Sequence, residues 1–185
     1  MKVRFEKENQ LYSCQVDMLI EAMNIGEFGV LVHFTGDRTI HFEEKGNWID
    51  LMTAEDVSLD VGEFKLIDLG LSMRIPRGFE AHLAPRSSTF KKWGIIQVNS
   101  VGIIDTSYSG INDIWKMPVY ATRAVTIPKG TRIAQFRFVK TMENELFDEV
   151  SSYKNFPYLG ESTLVFIECD ELPGEDRGGF GSTGN

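Results

Sequence analysis

The stretch Asp68-Leu-Gly-Leu-Ser-Met-Arg-Ile75 sets Leu69, Leu71, Met73 and Ile75 against Asp68, Ser72 and Arg74. Alternation with period two reads as a half-buried β-strand, one face in a core and one in solvent. The same pattern recurs outward from it. Ala81 and Leu83 alternate with Glu80 and His82, and Ala134, Phe136 and Phe138 alternate with Gln135 and Arg137, while Val30 to Phe34 and Leu164 to Ile167 are apolar runs of strand length. Turn signals come at short intervals at Gly62, Pro76-Arg-Gly78, Gly94, Gly102, Gly110, Pro118 and Pro128-Lys-Gly130. Many short strands with frequent turns predict an all-β sandwich or barrel. Helix is expected only at Val16 to Met23 and Glu143 to Val150. No internal repeat or domain boundary breaks the chain, so residues 1–185 read as one domain, with the polar stretch from Glu143 to Thr163 inserted between strands.

With 185 residues, 42% of them hydrophobic and 25% charged, the chain has the size and balance of one well-buried domain. No apolar run approaches the roughly 18 residues of a membrane span, and the N-terminal Met-Lys-Val-Arg-Phe-Glu-Lys-Glu lacks the apolar core of a signal peptide; a cytoplasmic protein without membrane contact is expected. Cys14 and Cys169 are far apart and have no nearby His, which points to buried free thiols rather than a zinc site or a disulfide. His33 and His41 read as structural. The net charge of −8 argues against a nucleic-acid polymer as partner. A phosphate ligand would therefore need local cations or a metal ion.

Four clusters carry possible chemistry. Arg177-Gly-Gly-Phe-Gly-Ser-Thr-Gly184 has almost nothing to bury in a core. Its glycines let backbone N–H groups approach an oxyanion, Ser182 and Thr183 add donors, Arg177 adds a forked cation, and Phe180 offers a face to a flat ring. The segment reads as a phosphate-and-base lid; the alternative is a plain linker, against which the arginine and the aromatic stand. Arg86 with Ser87 and Ser88 is a compact donor set for phosphate oxygens, or a turn whose serines bond their own backbone. Between Asn99 and Gly110, Asp105 follows an Ile-Ile pair and precedes Tyr108 by three residues. It is either a carboxylate in a partly dry site, poised as a general base, or a turn-forming Asp. Gln135, on the polar side of its strand, binds a ligand or water.

In order and wording these clusters resemble the motifs of the trimeric dUTPase family. The five motifs correspond here to Trp48-Ile-Asp50-Leu-Met-Thr-Ala54, Pro85 to Ser88, Asn99 to Gly110, Gly130 to Gln135, and Arg177 to Gly184. The resemblance implies a jelly-roll-like subunit and a homotrimer with sites between subunits. The first, second and fourth motifs would come from one chain, the third from a neighbour, and the tail from the last. It implies hydrolysis of dUTP to dUMP and pyrophosphate, which limits uracil incorporation into DNA and supplies dUMP for thymidylate synthesis. Asp105 would activate water for attack on the α-phosphorus, and Tyr108 would lie under the deoxyribose. Asn99, Gly102, Ile103 and Ile104 would read uracil. Arg86, Ser87, Ser88 and Gln135 would hold the phosphates, and Arg177, Gly181, Ser182 and Thr183 would close over them in a flexible lid, 177–185, with Phe180 on the base. Magnesium would be bound mainly by triphosphate oxygens, with Asp50 contacting it through water.

The chain departs from the family wording in two places. Arg177 and Phe180 are separated by two residues rather than the usual four, and Ser107 and Ser109 stand where the third motif commonly has a second acid and an arginine, followed by the unusual Ile-Asn-Asp-Ile-Trp115. Two other readings compete. A dCTP deaminase of this fold needs a glutamate shortly after the third motif, and residues 111 to 121 contain none. A nucleotide-gated regulatory protein would use the same site as a switch and the segments 1–47 and 143–163 for a protein partner.

Overall fold

A computed structural model describes residues 2–8, 27–42, 46–142 and 163–180. The strands among them are β1 (Lys2–Glu8), β2 (Glu27–Phe34), β3 (Ile40–Phe42), β4 (Ile49–Met52), β5 (Val57–Leu59), β6 (Phe64–Asp68) and β7 (Leu71–Arg74), then β8 (Phe79–Pro85), β9 (Ile95–Gln97), β10 (Gly102–Ile104), β11 (Lys116–Ala121), β12 (Val125–Ile127), β13 (Arg132–Lys140) and β14 (Thr163–Cys169). A five-residue helix, α1 (Thr89–Trp93), had no forecast; its signals are the left-handed Gly94 that ends it and Lys91 and Lys92 in its last turn. Both forecast helices, and all of the 143–163 stretch except Thr163, which opens β14, lie outside the described residues.

The strands form four open sheets, ordered β1-β14-β2-β7, β10-β8-β13-β4-β3, β6-β11-β9 and β12-β5. They pack as a sandwich-like, jelly-roll-type all-β fold, and among the described residues no sheet closes into a barrel. Their inner faces share one core, in which Val30 and Met73 of the first sheet meet Leu51, Leu83 and Phe136 of the second and Ile67 and Val119 of the third. Trp115 is fully buried and meets Phe136 edge to face at 5.2 Å. On β8 and β13 the alternation read from the sequence holds: Phe136 pairs with Leu83 inside, and Arg137 on the other parity is exposed.

The 68–75 stretch is not one half-buried strand. Gly70, at φ +68°, breaks it between β6 and β7, which join different sheets. Ser72, expected in solvent, is completely buried, and its hydroxyl donates to the Ile111 carbonyl at 3.0 Å. Both faces of β7 are covered, so parity there no longer separates core from water. At Gly70 a Cβ would stand 2.9 Å from the Ala54 Cβ and 3.0 Å from the Thr39 Cγ2. Gly70→Ala is therefore expected to destabilise the fold by about 1–3 kcal/mol through left-handed strain and overlap. Urea melts read this, with Gly36→Ala, where a Cβ meets nothing within 4 Å, as the near-neutral control.

The segment before Trp48, in which the sequence marked only Val30 to Phe34 as strand, supplies two strands of the first sheet. β1 and β2 flank β14 in parallel, and Phe5 stacks on Phe166 at 5.3 Å. Burial pushes the Cys169 thiol up to about 11, as expected of an inert buried thiol, while Cys14 lies outside the described residues. His33 bonds the Cys169 carbonyl at 3.1 Å, a structural role. Among the described residues no helix is long and apolar enough to cross a membrane.

Candidate active site

β10 pairs with β8, Gly102 opposite Leu83, and so carries the third motif along the edge of the second sheet. The turn before it is tight: Ser100 is left-handed at φ +59°, and the Val101 N–H donates to the Asn99 carbonyl at 2.6 Å. Gln97 holds this turn, its Nε2 donating to the Asn99 side-chain oxygen at 2.9 Å and to the Leu83 carbonyl at 3.1 Å. Beyond β10 lies a cavity of about 280 Å³. Of the residues singled out from sequence, Asn99, Gly102, Ile103, Ile104, Asp105, Tyr108, Arg177 and Phe180 all line it.

Asp105 sits at the mouth with its side chain half-exposed. It accepts from the Ser107 backbone N–H at 2.8 Å and from the Ser107 hydroxyl, and the Arg177 Nη1 lies 3.3 and 3.4 Å from its two oxygens. Partial burial acts to raise its pKa, but the Ser107 bonds and the Arg177 charge outweigh it and hold the carboxyl below its ordinary value. The group is ionised at neutral pH and faces the cavity with a carboxylate. Tyr108 is the opposite case. Burial, reinforced by Asp113 and Asp68, pushes its phenol up to about 12, and its hydroxyl donates to the Ile114 carbonyl at 3.0 Å. It stays neutral, and its ring lines the same cavity as Asp105. Phe180 is exposed at the cavity rim in a left-handed conformation, φ +56°, uncommon for an aromatic residue.

Arg86, Ser87, Ser88, Gln135 and Asp50 do not line this cavity. Asp50 is on β4 and Gln135 on β13, where Gln135 stands opposite Asp50 and Ala84, while Arg86 to Ser88 follow the end of β8. Arg86 Nε donates to Asp50 at 2.8 Å, Arg132 Nη1 lies 3.2 Å from the other Asp50 oxygen, and Gln135 Nε2 donates to the Pro85 carbonyl at 3.2 Å. Ser87 is exposed and Ser88 half-buried. Asp50 is thus engaged by two guanidinium groups, and among the described residues no cluster of three His, Cys, Asp or Glu side chains could hold a metal ion. These side chains do not make a magnesium site by themselves. Gly181, Ser182 and Thr183 lie outside the described residues.

The cavity also takes in residues not anticipated from sequence: Leu83, Trp115 and Lys116, with Gly178 and Gly179 of the tail. Asp113 was missed as well. It is 1% exposed and accepts from the backbone N–H groups of Gly110, Arg177 and Gly178. The available signal was the unusual Asn112-Asp113 pair after the third motif, which by itself reads as turn chemistry.

Comparison with known proteins identifies the family. A profile described as dUTPase matches residues 47–161. The chain is 48% identical over 141 residues to the SPbeta prophage-derived deoxyuridine 5'-triphosphate nucleotidohydrolase of Bacillus subtilis, covering 76% of this chain and 86% of that one. It is 32% identical over 166 residues to the deoxyuridine 5'-triphosphate nucleotidohydrolase of Rickettsia akari, covering 88% and 99%. The fold is shared with the crystal structure of the Streptococcus mutans dUTPase, at a TM-score of 0.51 and 24% identity over 55% of this chain and 84% of that one. A mutant dUTPase from phage phi11 of S. aureus, described as coordinating a structural Mg(II) ion, gives a TM-score of 0.54 at 18% identity over 60% and 90%. With its motifs, its fold and a profile match spanning most of its length in accord, this chain belongs to the dUTPase family.

Proposed function

We propose that the protein hydrolyses dUTP to dUMP and pyrophosphate, with Asp105 as the general base. The observation that carries the reading is a carboxylate kept ionised at the mouth of a base-sized cavity walled by the Asn99–Ile104 turn and the Tyr108 ring. Asp105 would take a proton from water as its oxygen attacks the α-phosphorus; the bond to the bridging oxygen breaks and pyrophosphate leaves. The backbone of Gly102 to Ile104 reads the uracil edge, the Tyr108 ring packs on the deoxyribose, and Phe180 covers the base. Conversion of dUTP to dUMP in this way keeps uracil out of DNA and supplies the thymidylate precursor.

Arg86, Ser87, Ser88 and Gln135 bind phosphates from a second subunit. Their separation from the Asp105 cavity within one chain supports a homotrimer with shared sites. Magnesium would be held mainly by the triphosphate oxygens and would supply the positive charge that a chain of net −8 lacks. Asp50 would contact that ion only through water, since its own oxygens are engaged by Arg86 and Arg132.

Incubation with dUTP and with dCTP under magnesium, with pyrophosphate and ammonia assayed separately, tests the activity. Pyrophosphate from dUTP alone is expected; ammonia from dCTP would overturn the reading. Tyr108→Ala is expected to weaken nucleotide binding and to reduce the preference for dUTP over UTP, because the ring that excludes a 2′-hydroxyl is gone. Ratios of kcat/KM for the two nucleotides measure it, and unchanged discrimination would assign the sorting to another residue.

A further inference from the structure

On β9 the side chains of Ile95 and Gln97 are buried and that of Ile96 is exposed, so an amide stands at an inward position whose neighbour is an isoleucine. The amide is only half satisfied. Gln97 is 6% exposed, and its Oε1 is buried with no hydrogen-bond partner among the described residues, a cost that a leucine of similar size would not carry. The nitrogen is fully used. Nε2 lies 3.1 Å from the Leu83 carbonyl oxygen and 2.9 Å from Asn99 Oδ1. A carbonyl oxygen can only accept, so Nε2 is the Gln97 atom that faces Leu83, and its second hydrogen is left for Asn99. That hydrogen cannot face an NH2 group, which fixes the Asn99 amide with its oxygen toward Gln97. Nδ2 is then the atom that Asn99 offers to a ligand. It lies 3.6 Å from where a Cβ on Gly102 would stand, and Asn99 and Gly102 both line the cavity.

We infer that Gln97 tunes base specificity without touching the base: the relay from the Leu83 carbonyl through Gln97 holds Asn99 so that it presents a donor to the cavity, and this favours a base edge bearing a carbonyl oxygen over one bearing an amine. With the site taken as that of the dUTP hydrolysis proposed above, the carbonyl is uracil's, and cytosine carries an NH2 in its place. A free asparagine amide would serve either base by flipping over, because its two ends have nearly the same shape and opposite polarity. The relay removes that choice before the nucleotide arrives. Against cytosine the Asn99 donor meets another donor, and polar groups left unpaired in a closed site are what make such discrimination steep. Gln97 is thus a positioning residue that acts through Asn99.

Gln97→Leu tests the relay, since it keeps the buried volume and removes both donated hydrogen bonds. Its Tm is expected to hold or rise. Equilibrium titrations with dUDP and dCDP under magnesium are expected to show the preference for the uracil nucleotide reduced by about tenfold, the scale of one ordinary hydrogen bond. With dUTP as substrate the change should fall in KM and leave kcat in place, because the amide acts on base recognition and not on the α-phosphorus. The same substitution made in an Asn99→Ala chain is expected to change the preference no further, since both remove one contact. An undiminished preference in Gln97→Leu, or a further loss of about tenfold in the Asn99→Ala chain, overturns the inference and leaves Gln97 a support of the turn. Asn99→Asp, at an exposed position, keeps an acceptor for Gln97 but turns an oxygen to the cavity. Its preference for dUDP is expected to fall at least as far, and an unchanged one overturns the inference whether or not Gln97→Leu folds. An unsubstituted protein that prefers neither nucleotide overturns this inference together with the proposed function, whereas one that prefers dUDP yet releases no pyrophosphate from dUTP overturns the hydrolysis alone.

Discussion

Asp105→Asn is expected to abolish most turnover while leaving dUTP bound. Removing a general base typically costs about 10² to 10⁴ in rate. Asn preserves the shape of the side chain and an oxygen for the Ser107 donors, so the loop keeps its form. What is lost is the proton acceptor. Single-turnover pyrophosphate release measures the chemical step and equilibrium titration with dUTP measures binding; near-normal turnover would remove Asp105 from the mechanism. The pH dependence of the native protein follows from the same contacts. Asp105 has a depressed pKa, so its carboxylate form, and the stability it gains from Ser107 and Arg177, is fully present above the ordinary carboxylate value near 3.8 and is lost only as pH falls through the lower folded value. The acid limb of kcat/KM that belongs to Asp105 therefore lies below 3.8. Arg177→Ala removes a favourable charge, so that limb is expected to move upward; an unmoved limb would mean that Ser107 alone sets the ionisation.

Deleting residues 177–185 should separate activity from folding. Among the described residues the last buried apolar one is Leu172, which packs with Leu31, Val165 and Ile167; Phe180 is 55% exposed, and the Arg177 side chain is 41% exposed. Little apolar area leaves the core with the tail, so thermal melting is expected to shift by no more than a few degrees, the range for surface changes in a domain of this size. Activity is expected to fall by about 10²-fold or more, the scale seen when a preorganised electrostatic donor is removed from a reacting phosphate or oxyanion. The loss should lie mainly in kcat, since a lid that closes over bound nucleotide acts on the closed complex and the transition state. A shortened chain with full activity would show that Arg177 and Phe180 have no part in the reaction.

Asp105 and the cavity wall beside it were legible as neighbours because they are contiguous. Asn99, Gly102, Ile104, Asp105 and Tyr108 lie within ten residues, and neighbours in sequence stay neighbours in space around a tight turn. The β character was equally plain at β8 and β13, where only one face is buried. It failed at 68–75, where Gly70 turns the chain between two sheets and β7 is buried on both faces. Asp113 escaped notice because one acid in a loop looks like any other, and what marks it is burial against donors that arrive 64 and 65 residues later.

By itself the sequence determined an all-β fold, a net charge of −8 and the order of motifs that marks the dUTPase family. These follow from local alternation, composition and short-range spacing. Tertiary structure alone decided which distant groups meet: β1 and β2 on either side of β14, Arg86 with Asp50 across 36 residues, and Arg177 with Asp105 across 72. Such partners are selected by the pairing of strands and the burial of charge, and spacing along the chain carries no record of either.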